Sequence, residues 1–179
     1  MDLNSLTFLL FAIGVVVLSN CFPSAAGRGT VLALASAMFI GSYASTPLQL
    51  VPLLSFLALC FGVVRAVQWR PSRRMVWAGV TTVLLCFVYL KRFSFIDSLP
   101  ALPFAYVMVG LSYILFRIIH LTVDISQGML QEKIGPIAFF NYTCNFLSFV
   151  SGPIQRYQDF AEANNRPLKL DDKVVSAAF

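Results

Sequence analysis

The chain has 179 residues, of which 58% are apolar and only 12% charged, about half the charged share of an ordinary globular domain. That balance excludes a freely soluble domain. The net charge of +5 lies at the ends of apolar runs, so it does not read as a nucleic-acid surface.

In chain order, apolar stretches cover residues 3–27, 29–64, 75–90, 98–116 and 134–155. A membrane-spanning helix needs roughly 20 such residues. The second stretch is too long for one helix, and its segment Gly41-Ser42-Tyr43-Ala44-Ser45-Thr46-Pro47 carries the turn-forming residues that divide it. The expectation is therefore an all-α, polytopic transmembrane protein with about six hydrophobic segments, forming one membrane domain over residues 1–179. The first segment is expected to stay as a span and not to be cleaved as a signal peptide, because Asp2 stands where a basic leader region belongs.

Arg65, Arg70, Arg73 and Arg74 fall in one short linker with no acidic residue, and the positive-inside rule places that linker in the cytoplasm. Alternation then puts Arg28 and Glu132-Lys133 on the same side and the amino terminus outside. Cys21, Cys60, Cys86 and Cys144 are widely spaced, and the chain has a single histidine, so no metal site is expected and the cysteines read as small packing residues.

Pro100 and Pro103 suit the first turn of a helix whose pattern continues to about Gln127. On it, Arg117, His120 and Asp124 stand at i, i+3 and i+7 and share one face. A charge at mid-membrane costs on the order of 2.5–3.5 kcal/mol on insertion scales, so this face is expected to meet protein or water. Two readings are open. Asp124 orients His120 or Arg117 beside a water-filled tunnel, or the trio forms a structural ion pair between neighbouring helices.

Residues 139–157 mix aromatics with Asn141, Asn145, Thr143 and serines, then reach Gly152-Pro153, which must interrupt a helix. Irregular backbone at membrane depth is tolerated where protein buries it or water reaches it. The break reads either as a tunnel wall or as a helix end anchored at the interface by Arg156 and Tyr157. Beyond Arg156 the chain turns polar, with Asn164-Asn165-Arg166-Pro167 as a loop leading towards an amphipathic helix.

Several blocks resemble the membrane-bound O-acyltransferase family, most nearly its alginate-acetylase and D-alanyl-transfer branch. Leu102-Pro103, then Val109-Gly110-Leu111-Ser112-Tyr113, Phe116 and Leu121-Thr122-Val123-Asp124 resemble the family's glycine-isoleucine-serine-phenylalanine helix with its late aspartate. Phe146-Leu147-Ser148-Phe149-Val150-Ser151-Gly152-Pro153-Ile154-Gln155-Arg156-Tyr157-Gln158-Asp159-Phe160 resembles its glycine-proline-isoleucine segment and is the more specific block. The resemblance implies the amino-terminal part of an enzyme that transfers an acyl group to a hydroxyl, commonly on a cell-surface polymer, in a bacterial inner membrane.

It implies no bound cofactor, an acyl donor (acyl-CoA or a carrier-protein thioester), a hydroxyl acceptor, and a carboxy-terminal half or accessory acyl-transfer protein as partner beside the lipid bilayer. It implies no nucleic acid. Asp124, Gly152, Pro153 and Arg156 map onto scaffold and tunnel wall. The family's catalytic histidine lies in a later helix, so His120 does not take that role. The catalytic group is expected beyond Phe179, and the chain by itself is expected to be inactive. The alternative is a non-catalytic membrane subunit of an acyltransferase or polymer-export complex.

Overall fold

A computed structural model describes residues 6–91, 110–130, 132–149 and 155–165. Within them the chain is all-helical, with seven α-helices and one short 3-10 turn. They are α1 (Leu6–Asn20), α2 (Ala25–Gly41), the 3-10 turn Pro47–Leu50, α3 (Val51–Trp69), α4 (Arg73–Lys91), α5 (Leu111–Ser126), α6 (Pro136–Cys144) and α7 (Tyr157–Asn165).

The helix boundaries follow from local chemistry. Ser24 caps α2 by accepting the Gly27 N–H at 3.1 Å, and Ser72 does the same for the Met75 N–H at the start of α4, at 3.2 Å. Prolines occupy the first turns of the 3-10 turn, α3 and α6, where their missing N–H has no intrahelical partner to lose. The anticipated division of the long apolar stretch falls where the turn residues stand, with α2 ending at Gly41 and Pro47 opening the next element. α5 ends in a Schellman motif: the Met129 N–H reaches the Asp124 carbonyl, the Gly128 N–H reaches that of Ile125, and Gly128 takes φ 74°.

Two units are long and apolar enough to cross a membrane: Pro47–Trp69, the 3-10 turn continued by α3, and Arg73–Lys91, which is α4. α1 and α2 are apolar but shorter within the described residues. Large apolar side chains on α1 to α4, among them Leu10, Val17, Leu34, Met38, Leu54 and Leu85, face outwards. In water such faces would be a liability, and in a bilayer they are the ordinary solvent-facing surface.

α3, α4 and α5 pack against one another, and α1 lies on α2. α3 and α4 approach closely enough that a Cβ on Gly79 would meet the Val63 Cγ1 at 2.5 Å. The nine-residue α6 touches α2, α3, α5 and α7, so it stands at the centre of the arrangement. Around it Phe8, Phe11, Phe39 and Phe146 form an aromatic cluster with centroid separations of 5.4–6.2 Å.

Two expectations change. The helix in the stretch 134–155 was expected to run to the Gly152-Pro153 break, and α6 instead stops at Cys144. The Asn145 Oδ1 accepts the Leu147 N–H at 3.1 Å, a local turn that competes with helix propagation. The polar segment after Arg156 begins as a helix, and Asn164 and Asn165 close it where a loop was expected. The proposed start of the polar helix at Pro100 and Pro103, the Gly152-Pro153 break and the chain from Arg166 onward lie outside the described residues.

Candidate functional site

Nine residues of α5 are buried, including the charged Arg117 and Asp124 and the hydroxyl-bearing Thr122. The polar face anticipated from spacing is thus turned into the protein. Arg117, only 3% exposed, points its guanidinium at main-chain carbonyls. Its Nη1 donates to the carbonyls of Tyr142 (3.3 Å) and Thr143 (3.2 Å), and its Nη2 donates to that of Ser148 (2.9 Å).

The first two carbonyls belong to the last turn of α6, which has no intrahelical partners left for them. A helix carboxy terminus also carries roughly half a negative charge. Arg117 is therefore a cap supplied by the neighbouring helix, and it pins the turn that follows. Among the described residues no ion pair joins it to Asp124. The contacts that Arg117 makes here are to backbone carbonyls, a role neither reading of this face had given it.

His120 is half-buried on the same helix, and its Nδ1 is buried with no hydrogen-bond partner among the described residues. Asp124 is 4% exposed, one helical turn further on.

On α6, Asn141 is buried and its Nδ2 donates to the Gly29 carbonyl of α2 at 2.8 Å, while its Oδ1 is left without a donor. Thr143 turns its hydroxyl back to the Phe139 carbonyl at 2.8 Å. The Tyr142 hydroxyl donates to the Gln155 carbonyl at 3.0 Å, and its ring packs against Tyr157 and Phe160. Arg156 is exposed just before α7, and its carbonyl accepts the Phe160 N–H. Burial raises the Tyr157 phenol above its ordinary pKa, and the Glu132 charge adds to the shift, so this hydroxyl stays protonated.

Arg117, His120 and Asp124 thus share the inward face of α5, Arg117 reaches α6, and Asn141 and Asn145 belong to that same short helix and its cap. Arg156 stands apart at the surface. Three contributors had no role readable from the sequence, although Gln158 lies within the glycine-proline-isoleucine block. The Ser36 Oγ, fully buried in α2, accepts the Phe146 N–H at 3.2 Å. Arg28 donates to the Asn164 carbonyl at 3.3 Å, and the Gln158 Nε2 donates to the Met129 carbonyl at 2.6 Å. Ser36 had one faint signal, a lone hydroxyl inside an apolar run. The other two resembled ordinary interfacial side chains.

Cys60 and Cys144 are fully buried and Cys86 is partly so, as packing residues should be. Cys21 is exposed at the end of α1, where its thiol turns to the Val17 carbonyl, so packing is not its role.

No protein-family model matches the chain. No solved structure matches it. Two curated proteins do. A protein of Pseudomonas syringae pv. tomato named "Probable alginate O-acetylase AlgI" is 27% identical over 141 residues, covering 65% of this chain and 27% of its own length. The AlgI of Pseudomonas putida is 28% identical over 118 residues, covering 59% of this chain and 24% of its own. The match therefore spans about a quarter of each curated relative. This similarity to two alginate O-acetylases supports, for a chain of apolar helices around a buried polar centre, a relationship to the membrane-bound O-acyltransferases.

Proposed function

We propose that this chain is the amino-terminal scaffold of a membrane-bound O-acyltransferase that moves an acyl group from a thioester donor to a hydroxyl of a cell-surface polysaccharide. The observation that carries the reading is the similarity to two alginate O-acetylases, joined to a polar α5 face buried against α6 by the Arg117 cap. In this reading the domain crosses a bacterial inner membrane through about six hydrophobic segments, with the amino terminus outside. The catalytic histidine comes from a part of the enzyme beyond Phe179.

Arg117, Asp124, Asn141, Asn145, Gly152, Pro153 and Arg156 then shape the wall against which the catalytic part docks. His120, with its unengaged Nδ1, faces that seam as a polar wall residue and does not serve as the base. The chain contributes the fixed frame, and the donor and acceptor meet where that frame abuts the remaining helices.

A chimaera tests this. The matching quarter of the Pseudomonas putida alginate O-acetylase is replaced by this chain, and the acetyl content of secreted alginate is measured in cells that lack the native enzyme. Acetylation restored above the vector control is expected. A chimaera that inserts at wild-type level and transfers nothing would overturn the reading, and so would transfer supported by residues 1–179 alone.

A further inference from the structure

A cavity of about 560 Å³ opens between the end of α3 and the loop that follows α5. Arg65, Gln68 and Trp69 wall it on one side, and Ile125, Leu130 and Lys133 on the other. None of these residues takes part in the site on α6. We propose that this cavity binds the phosphate of an anionic phospholipid headgroup, with Arg65 and Lys133 as its cationic partners. The proposal rests on the reading that α3 crosses a membrane.

Four observations converge on it. First, Arg65 and Lys133 arrive from elements far apart in sequence and line one concavity, as a ligand-holding pair would. Second, Trp69, 83% exposed at the last position of a membrane-crossing helix, stands where an indole anchors in the headgroup layer. The Arg70 guanidinium lies 5.8 Å from its ring centroid, which holds a third cation at the rim. Third, Ile125, Leu130 and Pro71 give an apolar floor suited to the glycerol and the root of the acyl chains. Fourth, the Gln68 Nε2 is spent on the Glu132 carbonyl at 3.0 Å while its Oε1 is buried without a donor. A hydroxyl of a glycerol headgroup supplies that donor.

The opposing charges are the carboxy termini of α3 and α5, each worth roughly half a negative charge, and the Glu132 carboxylate beside Lys133. The α5 terminus has its carbonyls engaged by the Schellman bonds. Three cations at the cavity and its rim outweigh what is left, so the site remains an anion receptor. A free phosphate shares this chemistry, but the exposed indole and apolar floor favour a phosphate tethered to a lipid.

The full chain is reconstituted in nanodiscs of phosphatidylcholine doped with phosphatidylglycerol, and lipid retained after extraction is counted by native mass spectrometry. Alkaline extraction of the same preparations reads insertion separately, so failure of the membrane reading is distinguishable from failure of the site. Wild-type chain is expected to keep phosphatidylglycerol over phosphatidylcholine. A direct hydrogen bond between a cationic side chain and a phosphate is worth roughly tenfold or more, so Arg65→Gln with Lys133→Gln should lower the preference by at least about tenfold.

Arg73→Gln with Arg74→Gln, which removes two charges from the first turn of α4 outside the cavity, should leave most of the preference. Arg65→Lys, which keeps the charge, should preserve it and guards against a folding artefact in the double variant. Equal loss in both double variants would reduce the effect to diffuse surface charge and overturn the proposal, as would no preference in the wild type. Displacement of the lipid by millimolar inorganic phosphate would assign the cavity to a soluble phosphate and overturn the lipid assignment.

Discussion

Replacing Arg117 tests the central contact of the fold. The guanidinium gives three N–H···O bonds to carbonyls at 2.9–3.3 Å. Hydrogen bonds to a charged group contribute roughly 1.5–3 kcal/mol each, about 5–9 kcal/mol for three before costs. Burying the guanidinium without a carboxylate partner offsets several kcal/mol of that. Arg117→Met keeps the aliphatic stem and strands the last carbonyls of α6, and a net loss of about 2–4 kcal/mol is expected. At roughly 2–4 °C per kcal/mol for a chain of this size, the apparent melting temperature should fall by about 4–16 °C.

Arg117→Lys retains the charge but not the planar fork, so it should fall about half as far. The assay is monodispersity of the detergent-solubilised chain after heating, read on a fluorescent fusion. A Met variant that melts with the wild type would refute the capping argument. So would an Asp124→Asn loss equal to that of Arg117→Met and not additive with it, since that is the signature of an ion pair. The α-carbons at i and i+7 are separated by roughly 10 Å along the helix, and coupling below about 0.5 kcal/mol is expected.

Other perturbations separate local causes. Gly110 opens α5 at φ 94°, and a Cβ there would meet the Phe149 carbonyl oxygen at 2.5 Å, so Gly110→Ala should cost about 2–4 kcal/mol in the same melting assay. Gly128→Ala meets nothing within 4 Å at φ 74° and should cost about 1 kcal/mol, strain alone. Gly79→Leu should break the α3–α4 contact at Val63 and lower inserted, monodisperse yield, whereas Gly62→Leu, with open space at its Cβ, should not. An impermeant maleimide should label Cys21 readily in opened vesicles and leave Cys60 and Cys144, both fully buried, unmodified until detergent unfolds the chain; labelling of Cys21 from the cytoplasmic side only would agree with the charge-based orientation.

The sequence made some of this legible and some not, for physical reasons. Helical spacing put Arg117, His120 and Asp124 on one face, because a 3.6-residue period needs no tertiary knowledge. Turn residues located the break between α2 and α3 for the same reason. The partners of Arg117 could not be read, since they are main-chain carbonyls of residues 142, 143 and 148, and every residue has a carbonyl. A carboxylate seven positions away was the partner visible in the sequence, whereas the bonds Arg117 makes are to carbonyls. The stop of α6 was legible in principle: Gly135-Pro136 marks a start and Asn145 a turn, but aromatic continuity across 139–149 hid it. The early helix of α7 was obscured by its asparagines, which close the helix and do not prevent it.

The short α6 explains why so many polar groups sit inside an otherwise apolar chain. Nine residues rise only about 14 Å, too little to cross a bilayer, so an α6 embedded in the membrane would have at least one end that lipid could not satisfy. Several groups near its carboxy end are answered from other elements. Arg117 of α5 takes the carbonyls of Tyr142, Thr143 and Ser148, and Ser36 of α2 takes the Phe146 N–H. Asn141 reaches back to Gly29 of α2, and Tyr142 reaches forward to Gln155 before α7. The carboxy end of α6 and the irregular backbone after it are thereby tied to α2, to α5 and to the residue stretch before α7. Removing one tie should loosen the whole of 141–149 together: proteolysis or hydrogen exchange in this segment should rise in Ser36→Ala as well as in Arg117→Met. Exchange that rises only at Phe146 in the serine variant would show that the ties act singly and that α6 is not held as one unit.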